Sequence, residues 1–207
     1  ERVLALRARG GYDWRKVCAF HTKEDSGHEA PWLAYLMGDN PDYPERMLAA
    51  SYGAAARRLA VIRADESDPR TGNIHQWQQV NPISTEALVQ LTMGAPQTLY
   101  NGGLLITRLR YWDAVRRRAG LPPDVAALVE VLEPERTVVR LVNTSALAER
   151  RVVVQGGAFG EHRIESVRYA ARTSDYPGQR SDYEAPDLAT AQREEPVHAA
   201  CSAAPAA

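Results

Sequence analysis

The hydrophobic period of this chain changes near residue 103, and that change limits its fold more than any other feature. Before it, apolar residues recur at steps of three and four; after it, they alternate at steps of two. Such a chain is expected to be α+β: an N-terminal helical segment followed by an antiparallel β-sandwich-like domain. The expected divisions are a helical region at 1–100, a sandwich-like region at 101–170, and an extended or disordered tail at 171–207.

In the helical part, Gly10-Gly11 stops a first segment, and a short amphipathic helix is expected from Asp13 through Phe20. Trp32, Leu33, Tyr35 and Leu36 form a second helix ended by Gly38. Asp42 with Glu45 three residues on reads as a capping box, opening a long helix over about Tyr43 to Ala64. Leu48, Tyr52, Ala55, Leu59 and Ile62 follow one another along it at helical spacing. DESDPRTGN at 65–73 is turn chemistry and ends it.

Strand signals follow. LLITRLRYW (104–112) reads as a strand. Ala126–Leu132 and Thr137–Asn143 flank Glu-Pro-Glu-Arg as a hairpin. RVVVQ (151–155) and His162–Tyr169 are further strands, although a full sandwich uses about seven. Asn143-Thr144-Ser145 reads as a strand-end turn, and Glu161-His162 as neighbours on opposite faces.

Asn73–Gly103 holds the chemistry. Asn81-Pro82 reads as a helix start, with Ile83, Ala87, Leu88 and Leu91 facing a core and Gly94 as the stop. Glu86 and Gln90, one turn apart, form a separate polar stripe. The flanking loops carry His75, Trp77, Gln78, Tyr100 and Asn101. Aromatic faces, amides and one carboxylate are the groups a sugar-sized site uses. In that reading Glu86 is the acid or base, His75 its partner and Tyr100 a hydroxyl donor. Trp77, Gln78, Asn81, Gln90 and Asn101 position substrate. A second carboxylate for glycoside hydrolysis is not obvious, although Asp68 and Asp113 lie near in sequence. The plainer reading makes the same residues a seam that satisfies buried backbone.

Other classes find little support. The net charge of −1 gives no electrostatic case for nucleic acid or an anionic membrane. Lys16 and Lys23 are the only lysines, and the arginines are interleaved with acids, as on a solvated surface. Cys18 and Cys201 lie at opposite ends, so neither a zinc site nor a disulfide framework is expected. His21, Asp25 and His28 in HTKEDSGH are read as loop residues rather than metal ligands. No apolar run approaches transmembrane length. No cofactor or metal is expected, a cytoplasmic location is the working expectation, and the oligomeric state stays open. The chain lacks an initial Met and opens mid-pattern, which reads as a piece of a longer protein.

WLAYLMGDNPDYPERM (32–47) resembles the helix–Gly-Asp–x–x–Tyr–helix junctions of (α/α)-toroid proteins. Many of these are glycoside hydrolases, polysaccharide lyases or sugar epimerases, and several carry an antiparallel sandwich after the helices. The resemblance implies the C-terminal part of such a toroid and a saccharide or other small-molecule substrate. It carries no catalytic residue over, because no signature aligns. The leading reading is therefore a carbohydrate-active enzyme, or a fragment of one, with its site around 73–103. The alternative is a non-catalytic β-sandwich binding or packing module docked on a helical scaffold.

Overall fold

The computed structural model describes residues 2–11, 13–18, 27–68, 70–73, 75, 80–172 and 190–196. It divides into two units, Glu1–Glu161 and His162–Ala207. The fold is α+β with antiparallel sheets. The helices are α1 (Arg2–Arg9), α2 (Glu29–Leu36), α3 (Tyr43–Ala64) and α4 (Glu86–Met93). Strands β1 (Leu109–Asp113), β2 (Arg118–Ala119), β3 (Val125–Leu132), β4 (Thr137–Asn143) and β5 (Val152–Gly156) complete the first unit.

β1 is the centre of a three-stranded sheet in the order β2-β1-β5, and β3 pairs with β4 in a hairpin. Leu109 and Tyr111 of β1 and Val129 of β3 are the buried centre of one core, with Val139, Val152 and Val154 packed on it. The two sheets therefore face each other, as in a sandwich. Successive side chains of β3 point opposite ways. Val129 enters this core while Leu128 joins Trp32, Tyr43, Met47, Ala54, Ala87 and Leu91 in a helical core. The β3–β4 hairpin thus has helices on one face and the β1 sheet on the other.

Hydrogen bonds lock these layers. The Tyr111 hydroxyl donates to the Thr92 carbonyl at 2.8 Å, fixing β1 against α4. Arg108 N–H donates to Met93 O (2.9 Å), its own carbonyl accepts from Gly157 N–H (2.8 Å), and its guanidinium reaches the carbonyls of Glu133 (3.1 Å) and Pro134 (3.2 Å). One residue so joins the end of α4, the hairpin turn and the end of β5. Burial pushes the Tyr111 phenol well above its ordinary value.

α3 spans the expected residues, and the 126–143 hairpin has the expected strands. Other elements differ. α4 starts at Glu86 rather than Pro82. Pro82 disfavours helical backbone at Asn81, and the Asn81 side chain takes the Ile83 N–H at 2.9 Å in a turn. That shift rotates the buried face: Ile83 is 63% and Leu88 54% exposed, whereas Glu86 and Gln90 are fully buried beside Ala87 and Leu91. Gly94 does end the helix, at φ 67°. Asp42 makes no side-chain cap bond, so the capping box is not formed.

Residues 104–106 of the expected strand fall instead in a 3₁₀ turn, Gly103–Ile106. Gly103 donates its N–H to Thr98 O at 2.8 Å, and a Cβ there would lie 1.9 Å from the Gln97 carbonyl oxygen. This closure overrides the strand propensity of Leu104-Leu105-Ile106, and pairing begins only at Leu109. Trp14-Arg15 is a turn, with Asp13 accepting from Arg15 N–H at 3.1 Å, in place of the expected helix.

In the second unit, β6 (Ser166–Arg172) pairs antiparallel with β7 (Thr190–Pro196), which lies inside the stretch expected to be a tail. Cross-strand polar contacts line this ribbon: Arg168 and Ser166 to Glu194, and Tyr169 to Glu195.

Candidate functional site

Glu86 is the first residue of α4 and the centre of a buried polar network. Its Oε1 accepts from the backbone N–H of Gly27 (3.1 Å) and of His28 (3.0 Å), and from Gln90 Nε2 at 3.3 Å. Its Oε2 lies 2.7 Å from His28 Nδ1. Gly27 and His28 immediately precede α2, so the carboxylate sits where the positive end of that helix stabilises an anion.

The imidazole of His28 is held at both nitrogens. Cys18 N–H donates to Nε2 at 2.9 Å. A backbone N–H only donates, so Nε2 is the acceptor and the ring proton sits on Nδ1, facing Glu86. The Cys18 carbonyl is also near Nε2, at 3.2 Å. The Cys18 side chain is exposed and outside any disulfide.

Gln90 continues the network one turn along α4. Its Nε2 donates to Pro96 O at 2.9 Å, and its Oε1 accepts a short bond from the Tyr43 hydroxyl. Burial, then the charges of Glu86 and Glu29, pushes the Tyr43 phenol far above its ordinary value, so it remains a donor. The connected set is Cys18 backbone, His28, Glu86, Gln90 and Tyr43. It ties the segment before α2, the start of α3 and the whole of α4. Every polar atom named here has a protein partner, and the arrangement orients groups rather than presenting them.

The sequence-expected site residues are partly brought together. Glu86 and Gln90 meet. His75 is exposed, with its backbone N–H on Asn73 Oδ1 (2.9 Å), and among the described residues no hydrogen bond joins it to Glu86. The Asn81 side chain holds the Ile83 turn, while its carbonyl accepts from buried Arg58 at 3.1 Å. Asn101 is exposed and donates its N–H to Thr98 O at 3.1 Å. Trp77 and Gln78 lie outside the described residues, as do His21 and Asp25. Tyr100 lies in the 3₁₀ turn Leu99–Asn101, and its side chain is outside the described part.

The other nearby carboxylates serve turns. Asp68 accepts from Arg70 N–H at 2.9 Å, and buried Asp113 from Val115 N–H (3.1 Å) and Arg116 N–H (2.9 Å). Among the described residues no group of three or more His, Cys, Asp or Glu side chains is placed to hold a metal ion. No described helix is long and apolar enough to cross a membrane.

Sequence reasoning missed His28 and Tyr43 as members of the network. His28 had a signal: it stands directly before α2, where an unpaired backbone N–H seeks an acceptor. Tyr43 had a weaker one, as the aromatic that opens α3.

Residues 1–89 match the model of a domain of unknown function, DUF8034, so this part of the chain is similar to that family. The matched span holds His28, Tyr43 and Glu86 and stops one residue short of Gln90. No curated protein matches the chain. No solved structure matches it either.

Proposed function

We propose that the first unit is a non-catalytic binding or packing module, in which a β-sandwich-like layer is docked on a helical scaffold and the Glu86 network is the seam. One observation carries the reading: both oxygens of a fully buried Glu86 are taken by donors of the protein itself. A general acid or base must reach the proton that it moves. Among the described residues, Glu86 reaches only His28, Gln90 and the backbone of 27–28.

The test is a thermal-shift panel of oligosaccharides and uronic acids on wild type and Glu86→Gln. The seam predicts no ligand-dependent rise in Tm and a mutant that melts well below wild type. A saccharide that stabilises wild type by mass action, and loses that effect in Glu86→Gln, would instead establish the carbohydrate-active reading.

A further inference from the structure

α3 carries two apolar stripes, and among the described residues only one of them is buried, the other being exposed at Leu48, Tyr52 and Leu59 and half-buried at Ala55 and Ile62. Tyr43, Met47 and Ala54 are buried in the helical core. The second stripe is Leu48, Tyr52, Ala55, Leu59 and Ile62, spaced four, three, four and three residues. Leu48 is 41%, Tyr52 72% and Leu59 40% exposed. Alternating steps of three and four make a seam for a second, nearly aligned helix. Exposed Ala49 and Ala56 flank the seam and let another backbone approach closely.

The charges select the partner. Glu45 and Arg63 are both exposed, and neither has an ion pair among the described residues. They are eighteen residues apart, five turns of helix, so they project in one direction about 27 Å from each other. Both border the apolar seam, acidic at its start and basic at its end. An antiparallel copy of α3 centred between Gly53 and Ala54 sets Leu48 against Leu59, Tyr52 against Ala55, and Glu45 beside Arg63, each pair twice. A two-fold interface requires this self-complementarity, in which residue i meets j and j meets i.

We propose that this face of α3 takes a second copy of the chain, forming a two-fold dimer through antiparallel α3 helices. The occupant is a copy, because one stripe supplies both halves of its own charge pattern. The proposal is independent of whether the Glu86 network is a seam or a site.

Sedimentation of the 207-residue chain from micromolar to hundreds of micromolar tests it. Wild type is expected to move toward twice the 22.9 kDa chain mass as concentration rises. Tyr52→Glu should weaken association roughly tenfold or more, since it places a charge at the centre of the contact. Glu45→Arg should weaken it, and Glu45→Arg with Arg63→Glu should restore it. All three positions are exposed, so circular dichroism should report unchanged helix content in every variant. A monomer at all concentrations overturns the dimer, even if α3 captures some other helix. A dimer indifferent to Tyr52→Glu and to the single charge reversal overturns the α3 interface.

Discussion

Replacing Glu86 by Gln should cost about 3 kcal/mol, the sum of a stranded buried donor and the lost charge assistance of one hydrogen bond. The amide oxygen of Gln can still accept from Gly27 and His28 N–H, which lie 3.1 and 3.0 Å from Oε1. The other end becomes an NH₂ group facing His28 Nδ1–H, where the carboxylate oxygen was at 2.7 Å. If the imidazole keeps its tautomer, two donors oppose each other. If it moves the proton to Nε2, that proton can turn to the Cys18 carbonyl, but Cys18 N–H loses its acceptor. Either way one donor is stranded at a site with almost no exposure.

For a chain of this length, 3 kcal/mol corresponds to a Tm fall of about 6–12 °C. Urea titration followed by tryptophan fluorescence suits the measurement, because Trp32 lies in the helical core. A cycle with His28→Gln isolates the pair. Its coupling should be roughly 1–3 kcal/mol, as for contacting members of one network. A Glu86→Gln variant melting within a degree of wild type, or a coupling near zero, would sink the account of the seam.

Three further outcomes are expected. Tyr43 and Tyr111 have phenols raised by burial, so the stability that they contribute is complete below the ordinary phenol pKa of about 10 and is lost as pH rises above it. Of the nine tyrosines, these two should ionise only with alkaline unfolding read by circular dichroism, so the last step at 295 nm should coincide with it; completion of the 295 nm change in a still-folded chain would contradict this. Gly103→Ala should destabilise far more than Gly102→Ala, because the first meets Gln97 O at 1.9 Å and the second meets no atom within 4 Å, only the strain of φ 81°, about 1–2 kcal/mol. Similar melting points for the two would refute that closure. Leu91→Ala should cost roughly 2–5 kcal/mol while Leu88→Ala stays near zero, and reversal of that order would restore the helix face expected from sequence.

Long elements were legible in the sequence for simple reasons. α3 has twenty-two residues, a Pro in its first turn and turn chemistry after it, so its limits repeat in several signals. The β3–β4 hairpin is fixed by β-branched runs on either side of Glu-Pro-Glu-Arg. Among the short elements, α2 and β5 were legible as well, but the start of α4 and the 3₁₀ turn at Gly103–Ile106 were not, because tertiary contacts decide them. α4 has only eight residues, too few for periodicity to separate a stripe of Ala87 and Leu91 joined by Leu88 from one joined by Glu86 and Gln90. What decides is that Glu86 and Gln90 find partners, and the principal ones, His28 and Tyr43, lie 58 and 47 residues away. A buried carboxylate is therefore invisible to a reading that places polar residues outside. Glu86 and Gln90 were nonetheless picked out together, since one-turn spacing is a local property. His28 was not, since its role depends on where α4 comes to rest.

The bonding of Arg108 bears on how this chain responds to salt. Its guanidinium meets the carbonyls of Glu133 and Pro134, and those of Arg58 and Arg110 likewise reach carbonyls, of Asn81 and Ala158. Mobile ions screen the attraction between two exposed net charges over distances of about 10 Å, but they act weakly on a donor already seated on a neutral oxygen. The arginines that hold the layers together are thus wired for direction rather than for charge. Ionic strength should loosen the exposed Arg136–Glu133 and Arg168–Glu194 pairs and leave the joins between layers in place.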